Sequence, residues 1–344
     1  MDYIDQYSSS GPPENWGIPS KDGCNISIIM QGAYSDITPV CLRSLRALFP
    51  HAEIILSTWR NSTVDSLDAD RIVFSEDPGA VYADQISKTL NNVNRQLVST
   101  KAGLAVASRP FILKTRSDIL FHSADFLAYF GKYDRIPSPY FQNRLLICNY
   151  YTRNPQVINI CFHPSDWILF GRAKDVLRYY RNIPCMTKEE GEWFVEREKR
   201  CTVFTNYLCR YTPEQHIFLR FINQYHTVHC DCYYDHSREL AEETERAFAN
   251  CFVVLDYRKH FNITFSKYDP NRYLEKHTIV AHWQWKALYR HYCQKRTSII
   301  WEMYRAYGAV WKLTSSIRTF GIRVFNFLGI KETIKHFLTQ LREP

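Results

Sequence analysis

The chain has 344 residues, of which 45% are hydrophobic and 23% are charged, so it holds enough apolar material for a folded core and is not wholly disordered. Its amino end lacks the basic and apolar regions of a signal peptide, and no run of about 18 apolar residues follows, so we expect neither a secreted nor a membrane-spanning protein. The net charge of +8 comes from residues 286–344, which hold 11 of the 43 Lys and Arg residues but only 3 of the 35 Asp and Glu residues. Because the excess positive charge is confined to this apolar-rich tail, the sequence argues against a nucleic-acid-binding surface.

The first half of the chain alternates between strand and helix patterns. After an irregular arm rich in Gly and Pro over residues 1–23, short β-branched and aromatic runs predict four strands, and helical spacing of apolar residues predicts two helices. The strands are Cys24–Gly32, Ala52–Trp59, Arg71–Ser75 and Pro110–Phe121, and the helices are Thr38–Leu48 and Asn91–Ala107. This alternation indicates an α/β fold whose mostly parallel sheet is covered by helices on both faces.

The second half of the chain is less regular. Ser165–Gly171 is predicted as a strand that leads into a helix over Ala173–Tyr180. Pro213–Ile222 is predicted as a helix, because Pro is favoured in a first helical turn, and Phe252–Leu255 is predicted as another short strand.

Ligands of open α/β sheets bind beyond the carboxyl ends of the strands, so a binding site is expected at those ends. No Gly-rich phosphate loop follows the first strand, which argues against a dinucleotide-binding enzyme or a P-loop NTPase. On the fourth strand, Lys114, Arg116 and Asp118 share a parity and project from one face. Two cations and a carboxylate suit a nucleotide diphosphate with Mg²⁺ or Mn²⁺, and an ordinary surface salt-bridge cluster is the alternative.

Five short motifs follow one another along the chain. They are IIMQG at Ile28–Gly32, ILSTW at Ile55–Trp59, DPG at Asp77–Gly79, NVNRQLVSTKAGL at Asn92–Leu104 and LKTRSD at Leu113–Asp118. This ordered series resembles the WavE-type lipopolysaccharide synthesis glycosyltransferases over about residues 24–290. The resemblance implies a GT-A fold with a single Rossmann-like sheet, a nucleotide-sugar donor, and a role in lipopolysaccharide or capsule assembly.

The resemblance also implies roles for individual residues. It places Asn94, Arg95 and Gln96 on a helix that faces the donor, and it makes Asp118 the second Asp of the GT-A metal motif Asp-x-Asp. Because Arg116 stands at the first position of that motif, its guanidinium is expected to replace part of the charge of a Mn²⁺ or Mg²⁺ ion. The residues expected beside the donor on the strands are Gln31, Gly32, Ser57, Thr58, Trp59, Lys114 and Arg116.

A late histidine completes the metal site in several GT-A families, so the resemblance makes His282 a candidate metal ligand. A buried structural histidine beside Trp283 is the alternative. For Trp59 the alternatives are stacking on the nucleobase and packing in the core, and for Arg95 the alternative to donor binding is a solvated helix charge.

Two carboxylates compete for the role of the base that accepts a proton from the acceptor hydroxyl. Asp166 precedes the WILFG strand, and Glu214 lies in the first turn of a predicted helix. Each has a structural alternative, since Asp166 suits a turn cap and a negative charge in a first turn favours the helix dipole. Glycosyl transfer with inversion needs one such base, and we favour Glu214 over Asp166.

After the irregular arm, the chain is predicted to consist of a donor half over residues 24–125, an acceptor half over residues 126–290 and a basic tail over residues 291–344. Apolar residues recur in the tail at helical spacing between Lys and Arg residues, which is typical of a helix in the membrane interface. Packing of the tail on the domain or on a second subunit is the alternative. Eleven cysteines without zinc-site spacing are typical of reduced thiols and favour a cytoplasmic protein.

The sequence therefore predicts a glycosyltransferase on the cytoplasmic face of the inner membrane. Its expected partners are a nucleotide-sugar donor, a glycan or glycolipid acceptor and an anionic membrane surface. A non-catalytic nucleotide- or glycan-binding protein of the same fold is the alternative, because the first Asp of the metal motif is absent.

Overall fold

The computed structural model describes residues 17–64, 68–83, 90–195, 209–265 and 277–327, with side chains described as far as residue 313. The predicted arm over residues 1–23 and the apolar and basic side chains predicted beyond residue 313 therefore lie largely outside the described residues.

The strands of the described residues form one large sheet and two small ones. Their bounds are β1 (Ile26–Gln31), β2 (Glu53–Trp59), β3 (Arg71–Ser75), β4 (Val81–Tyr82), β5 (Leu90–Asn91), β6 (Phe111–Arg116), β7 (Ile119–Phe121), β8 (Leu145–Cys148), β9 (Leu169–Arg172), β10 (Phe252–Leu255) and β11 (Ile263–Phe265). The large sheet has the order β10-β8-β9-β6-β1-β2-β3, while β4 pairs with β5 and β7 with β11.

The helices alternate with the strands in the first half of the chain and follow in longer runs in the second. Their bounds are α1 (Thr38–Leu48), α2 (Val93–Val106), α3 (Ala173–Tyr180), α4 (Lys188–Gly191), α5 (Pro213–Ile222), α6 (Arg238–Cys251), α7 (His282–Leu288) and α8 (Ile299–Phe327). A 3₁₀ turn covers Asp125–Tyr129, and a π-helical turn over Tyr289–Cys293 continues α7.

The large sheet is mostly parallel, as predicted. β9 is antiparallel to both of its neighbours, β6 and β8, and the other neighbours in the sheet are parallel. Every residue of β1 is buried, and so is every residue of β2 except Trp59. Both faces of the sheet are therefore covered at its centre, which confirms the α/β fold predicted from the sequence.

Close packing of α2 on the sheet depends on a glycine. A Cβ atom added at Gly103 would overlap Ile29 Cγ2 and would lie 3.4 Å from the Cβ of Ser57. The Ser57 hydroxyl also donates a hydrogen bond of 2.7 Å to the carbonyl of Ser99 on α2. These contacts fix the height of α2 above β1 and β2, and thereby the position of the polar residues at its start.

The long helix α8 packs one side against the domain. Tyr304 is buried, and its hydroxyl donates to Glu245 Oε1 at 2.7 Å, while Trp311 stacks on His277 with 4.4 Å between ring centroids. The beginning of the predicted tail thus belongs to the folded domain. Among the helices of the described residues, none combines the length and the apolar character that crossing a bilayer requires.

Candidate active site

The candidate site lies at one edge of the large sheet, where an end of each of its seven strands is found. The carboxyl ends of the parallel strands lie there, and the antiparallel direction of β9 brings its amino end to the same edge. Asp166 and Trp167, which precede β9, are thereby placed beside Arg116 at the end of β6. This is the edge at which α/β sheets bind ligands.

Arg116 and Asp118 form a bidentate ion pair at this edge. Arg116 Nε donates a hydrogen bond of 2.8 Å to Asp118 Oδ1, and Arg116 Nη2 donates one of 2.8 Å to Asp118 Oδ2. The guanidinium carbon also lies 4.3 Å from the ring centroid of Trp167, within the range of a cation–π contact. The Arg116 side chain is 27% exposed and that of Asp118 is 10% exposed, so the guanidinium is the more accessible member of the pair.

Lys114 lies beneath this pair in the interior of the sheet. It is fully buried, and its ammonium donates a hydrogen bond to the backbone carbonyl of Asp166. Burial lowers the pKa of Lys114 to about 8, although the nearby carboxyl of Asp166 acts in the opposite direction. Lys114 therefore carries a positive charge at neutral pH in a largely desolvated position.

Asp166 is a buried carboxyl group whose proton is held more tightly than usual. Desolvation and the negative charge of Glu214 raise the pKa of Asp166 to about 6, while Lys114 and the amide of Gln96 oppose the shift. Within the described part of the chain, neither Asp166 Oδ2 nor Gln96 Nε2 makes a hydrogen bond of normal geometry. The two groups lie close enough for the Gln96 amide to affect the pKa of Asp166, and a ligand that hydrogen-bonds to either atom would improve their pairing.

Glu214 lies next to Asp166 in the same cluster. It occupies the first turn of α5, and burial raises its pKa. Its Oε2 atom is 3.4 Å from Nε2 of His163. Burial and the charge of Arg153 lower the pKa of His163 to about 3, so this histidine is neutral and does not form an ion pair with Glu214. The two carboxylates that compete for one role in the sequence are thus neighbours in the structure.

The predicted donor residues of β1 and β2 border this cluster. Gln31 Oε1 accepts a hydrogen bond of 2.8 Å from Ser99 Oγ. Gly32 has φ of 127°, and a Cβ atom added to it would lie 3.0 Å from Ser117 Oγ. Thr58 is buried, with its hydroxyl 3.3 Å from that of Ser62. Trp59 is partly exposed at the carboxyl end of β2.

The predicted donor residues of α2 make different contacts. Asn94 is buried and pairs with the backbone of Met186, donating at 2.9 Å and accepting at 2.7 Å. Arg95 forms a bidentate ion pair with Asp77 of the DPG motif, with both hydrogen bonds at 2.8 Å. Of these helix residues, Gln96 is the one whose interactions connect it to Asp166.

His282 belongs to an aromatic cluster rather than to the cluster around Asp118. Its Nδ1 lies 2.8 Å from the carbonyl oxygen of Val254, and its Nε2 lies 3.4 Å from the Tyr133 hydroxyl. Burial lowers the pKa of His282 to about 4, and its ring stacks on Trp285. Within the described ranges, no three or more His, Cys, Asp or Glu side chains are grouped as a metal would require.

Three further residues belong to the candidate site but were not predicted from the sequence. Arg153, His163 and Trp167 lie in the irregular segment between β8 and β9, where no hydrophobic periodicity marks them. Arg153 Nη1 donates a hydrogen bond of 2.6 Å to Thr278 Oγ1, which anchors this segment to the residues before α7. The WILFG run was the one available signal, because it placed Trp167 at the start of a strand.

The family model for WavE lipopolysaccharide synthesis matches residues 26–314. The chain belongs to the WavE lipopolysaccharide synthesis family. The matched range begins with β1, contains every residue of the candidate site and ends within α8, so the WavE domain extends further than the resemblance over residues 24–290 had implied. A comparison with curated proteins found no match.

Proposed function

We propose that this WavE-family chain is a glycosyltransferase that moves a sugar from a nucleotide diphosphate donor to a lipopolysaccharide or related glycan acceptor. The observation that carries the proposal is the juxtaposition of Asp166, a buried carboxyl with a raised pKa, with the cations Lys114 and Arg116 at the ligand-binding edge of the sheet. A transferase needs a base and a stabilised leaving group in one place, and this cluster provides both kinds of group.

Arg116 is proposed to bind the donor diphosphate. It is the most accessible cation of the cluster, and a planar guanidinium matches two phosphate oxygens. When the bond between the sugar and the phosphate oxygen breaks, the departing nucleoside diphosphate keeps the electron pair and gains negative charge. The fixed charges of Arg116 and Lys114 would stabilise that charge without reorganisation of solvent.

Asp166 is proposed as the base in an inverting reaction. It would take the proton of the acceptor hydroxyl while the hydroxyl oxygen bonds to the anomeric carbon and the diphosphate leaves. A pKa of about 6 keeps this carboxylate mostly ionised at neutral pH and makes it a better proton acceptor than an exposed aspartate. Asp166 is buried, so we propose that side chains of the site move when the acceptor binds.

The sequence favours Glu214 as the base. We propose instead that Glu214 acts mainly through its effect on Asp166. Its charge contributes to the raised pKa of Asp166, and its own carboxylate faces His163. Within the described residues Asp166 Oδ2 makes no hydrogen bond of normal geometry, and an acceptor hydroxyl would supply one, which supports Asp166 over Glu214. Substitution of both residues tests this assignment.

A Mn²⁺ or Mg²⁺ ion at Asp118 remains a prediction. Both carboxylate oxygens of Asp118 accept hydrogen bonds from Arg116, and the described residues offer no group of three carboxylate, histidine or cysteine ligands. In this arrangement the residues do not fit a cation held by the protein alone. A cation carried by the donor phosphates would have to displace Arg116 from Asp118.

The alternative, a binding protein without catalysis, is favoured by the arginine at the first position of the metal motif. Incubation with a panel of nucleotide sugars, with and without lipopolysaccharide acceptors, distinguishes the two. We expect that nucleoside diphosphate is released, that the release increases with acceptor, and that Asp166→Asn greatly reduces it. Binding of a nucleotide sugar without release under any acceptor condition would contradict the transferase and support the alternative.

A further inference from the structure

A cationic cavity of about 620 Å³ lies outside the candidate active site and shares no residue with it. Its volume is in the range of small-molecule sites. Five of its lining residues are basic, and we call the space between them the cationic cavity: Lys132, Arg135, Lys286, Arg290 and Arg296.

The cationic cavity lies toward the opposite edge of the sheet. β8 runs parallel to β6, because both pair antiparallel with β9, so its amino end is far from the candidate active site. Arg144 directly precedes β8, and its Nη1 donates to the carbonyls of Tyr133 at 2.9 Å and Ile136 at 2.8 Å. Since Tyr133 and Ile136 line the cavity, the cavity is located at the amino end of β8.

The positive charges of the cationic cavity are not neutralised by described residues. No Asp or Glu lines the cavity, and none of its five basic side chains forms an ion pair within the described part of the chain. The nearest acidic residue along the chain, Asp134, is paired with Arg144 at 3.3 Å. Five cations that converge on one space repel one another, and an anion with several oxygens would offset that repulsion.

An exposed apolar stripe begins at the wall of this cavity. Thr297 and Ser298 line the cavity, and α8 starts at the next residue. Four apolar residues at spacings of four, seven and three lie on one side of α8, opposite buried Tyr304, and each is more than half exposed. We call them the apolar stripe: Ile299, Met303, Val310 and Leu313.

We propose that the cationic cavity binds the phosphate group of an anionic membrane lipid while the apolar stripe enters the interface of the same bilayer. A soluble phosphate would satisfy the cavity alone, but it would leave the adjoining stripe in water. Basic side chains beside an apolar helix face are the combination that attaches proteins to anionic membranes. This inference does not depend on the transferase proposal, because lipid binding needs no nucleotide sugar.

The test is sedimentation of the full chain with vesicles of phosphatidylcholine that contain about one-third phosphatidylglycerol. The variant Arg135→Gln/Lys286→Gln/Arg290→Gln removes three cavity charges. Its matched control, Lys21→Gln/Lys174→Gln/Arg181→Gln, removes three charges from exposed residues elsewhere. We expect the cavity variant to lose vesicle affinity by about tenfold or more and the control to lose little, because screening weakens scattered surface charges.

Two further arms identify the source of the phosphate. Met303→Ser/Val310→Ser should weaken vesicle binding but leave binding of glycerol phosphate, measured by calorimetry, unchanged. Two results together would overturn the lipid assignment and show a site for soluble phosphate. Glycerol phosphate would bind as tightly as the vesicles, and the stripe variant would pellet with vesicles like the wild type. Equal pelleting of the wild type and the cavity variant would overturn the site itself. Melting curves show whether each variant is folded. If the triple cavity variant is unfolded, the single variant Arg290→Gln takes its place in the sedimentation experiment.

Discussion

Arg116 and Asp118 hold each other in a bidentate ion pair at the carboxyl end of β6, with both hydrogen bonds at 2.8 Å. Two consequences follow for the candidate active site. The guanidinium is oriented before any ligand arrives, and a donor diphosphate must share it with Asp118. The pair therefore determines both the affinity for the donor and the access of a cation to the carboxylate.

The assignment of the base predicts different effects for two neighbouring carboxylates. Asp166→Asn should reduce sugar transfer by about 10²-fold to 10⁴-fold while nucleotide binding persists, because an amide cannot accept the proton. Glu214→Gln should cause a smaller loss. Initial rates and calorimetric titration of the nucleoside diphosphate give the two readouts. A large loss for Glu214→Gln with near-normal transfer by Asp166→Asn would exchange the two roles.

The pH dependence of transfer should be bell-shaped. The rate should rise with pH through about 6 as Asp166 loses its proton, and fall above about 8 as Lys114 loses its charge, according to the pKa of each group. Glu214→Gln should move the acidic limb to lower pH, since removal of the adjacent negative charge lowers the pKa of Asp166. Values of kcat/KM for the donor across this interval provide the measurement, because they report the pKa values of the free enzyme, and a flat profile would contradict both assignments.

Asp166 should also destabilise the fold at neutral pH. Its pKa is raised from the ordinary 3.8 to about 6, so the folded state binds the proton more tightly than the unfolded state. Stability from this group is complete below pH 3.8 and is lost as pH rises through about 6. Asp166→Asn should therefore raise the free energy of unfolding by up to roughly 3 kcal/mol at neutral pH and by little near pH 4.

Urea unfolding at the two pH values measures this effect. The control is Asp231→Asn at an exposed position, which should change stability by less than about 0.5 kcal/mol at either pH. Equal stability of Asp166→Asn and the wild type at both pH values would mean that the carboxyl carries no desolvation cost.

Gly103 should tolerate no side chain. Gly103→Ala forces its Cβ into Ile29 and should lower the free energy of unfolding by about 1–3 kcal/mol, despite the better helix propensity of alanine. Ala105→Ser on the exposed side of α2 is the control and should change stability by less than about 0.5 kcal/mol. A Gly103→Ala protein as stable as the wild type would show that α2 is free to shift on the sheet.

The parallel core of the fold was predictable because its strands are short apolar runs separated by periodic helices. β1, β2 and β3, with α1 and α2, lie within a few residues of their predicted bounds. The single strand predicted over Pro110–Phe121 was wrong, because the chain turns at Asp118 and forms two strands, β6 and β7, that belong to different sheets. β8 was missed, since its four residues give too short a pattern. α6 was also missed, although Ser237 caps its first turn and its buried residues recur at helical spacing.

The candidate site was predictable only in so far as its residues lie on the predicted strands of the sheet. Strand parity places Lys114 and Arg116 on β6, and the rule for sheet edges brings them toward a common site. The approach of Asp166 depends on the antiparallel insertion of β9, which no local pattern reveals. His163 and Arg153 reach the cluster through an irregular segment, so only the folded chain shows that they belong to it.

The most direct test of the account is calorimetric titration of a nucleoside diphosphate, with Mn²⁺ and with chelator, into the wild type, Arg116→Ala and Asp118→Asn. Arg43→Ala, an exposed arginine of α1, is the control and should bind like the wild type. If Arg116 holds the diphosphate, Arg116→Ala should bind about tenfold more weakly in chelator, because its charge acts directly on phosphate. Asp118→Asn should bind at least as tightly as the wild type in chelator and should lose any stimulation by Mn²⁺. Wild-type affinity of both variants under both conditions would contradict the assignment of this pair to the donor site.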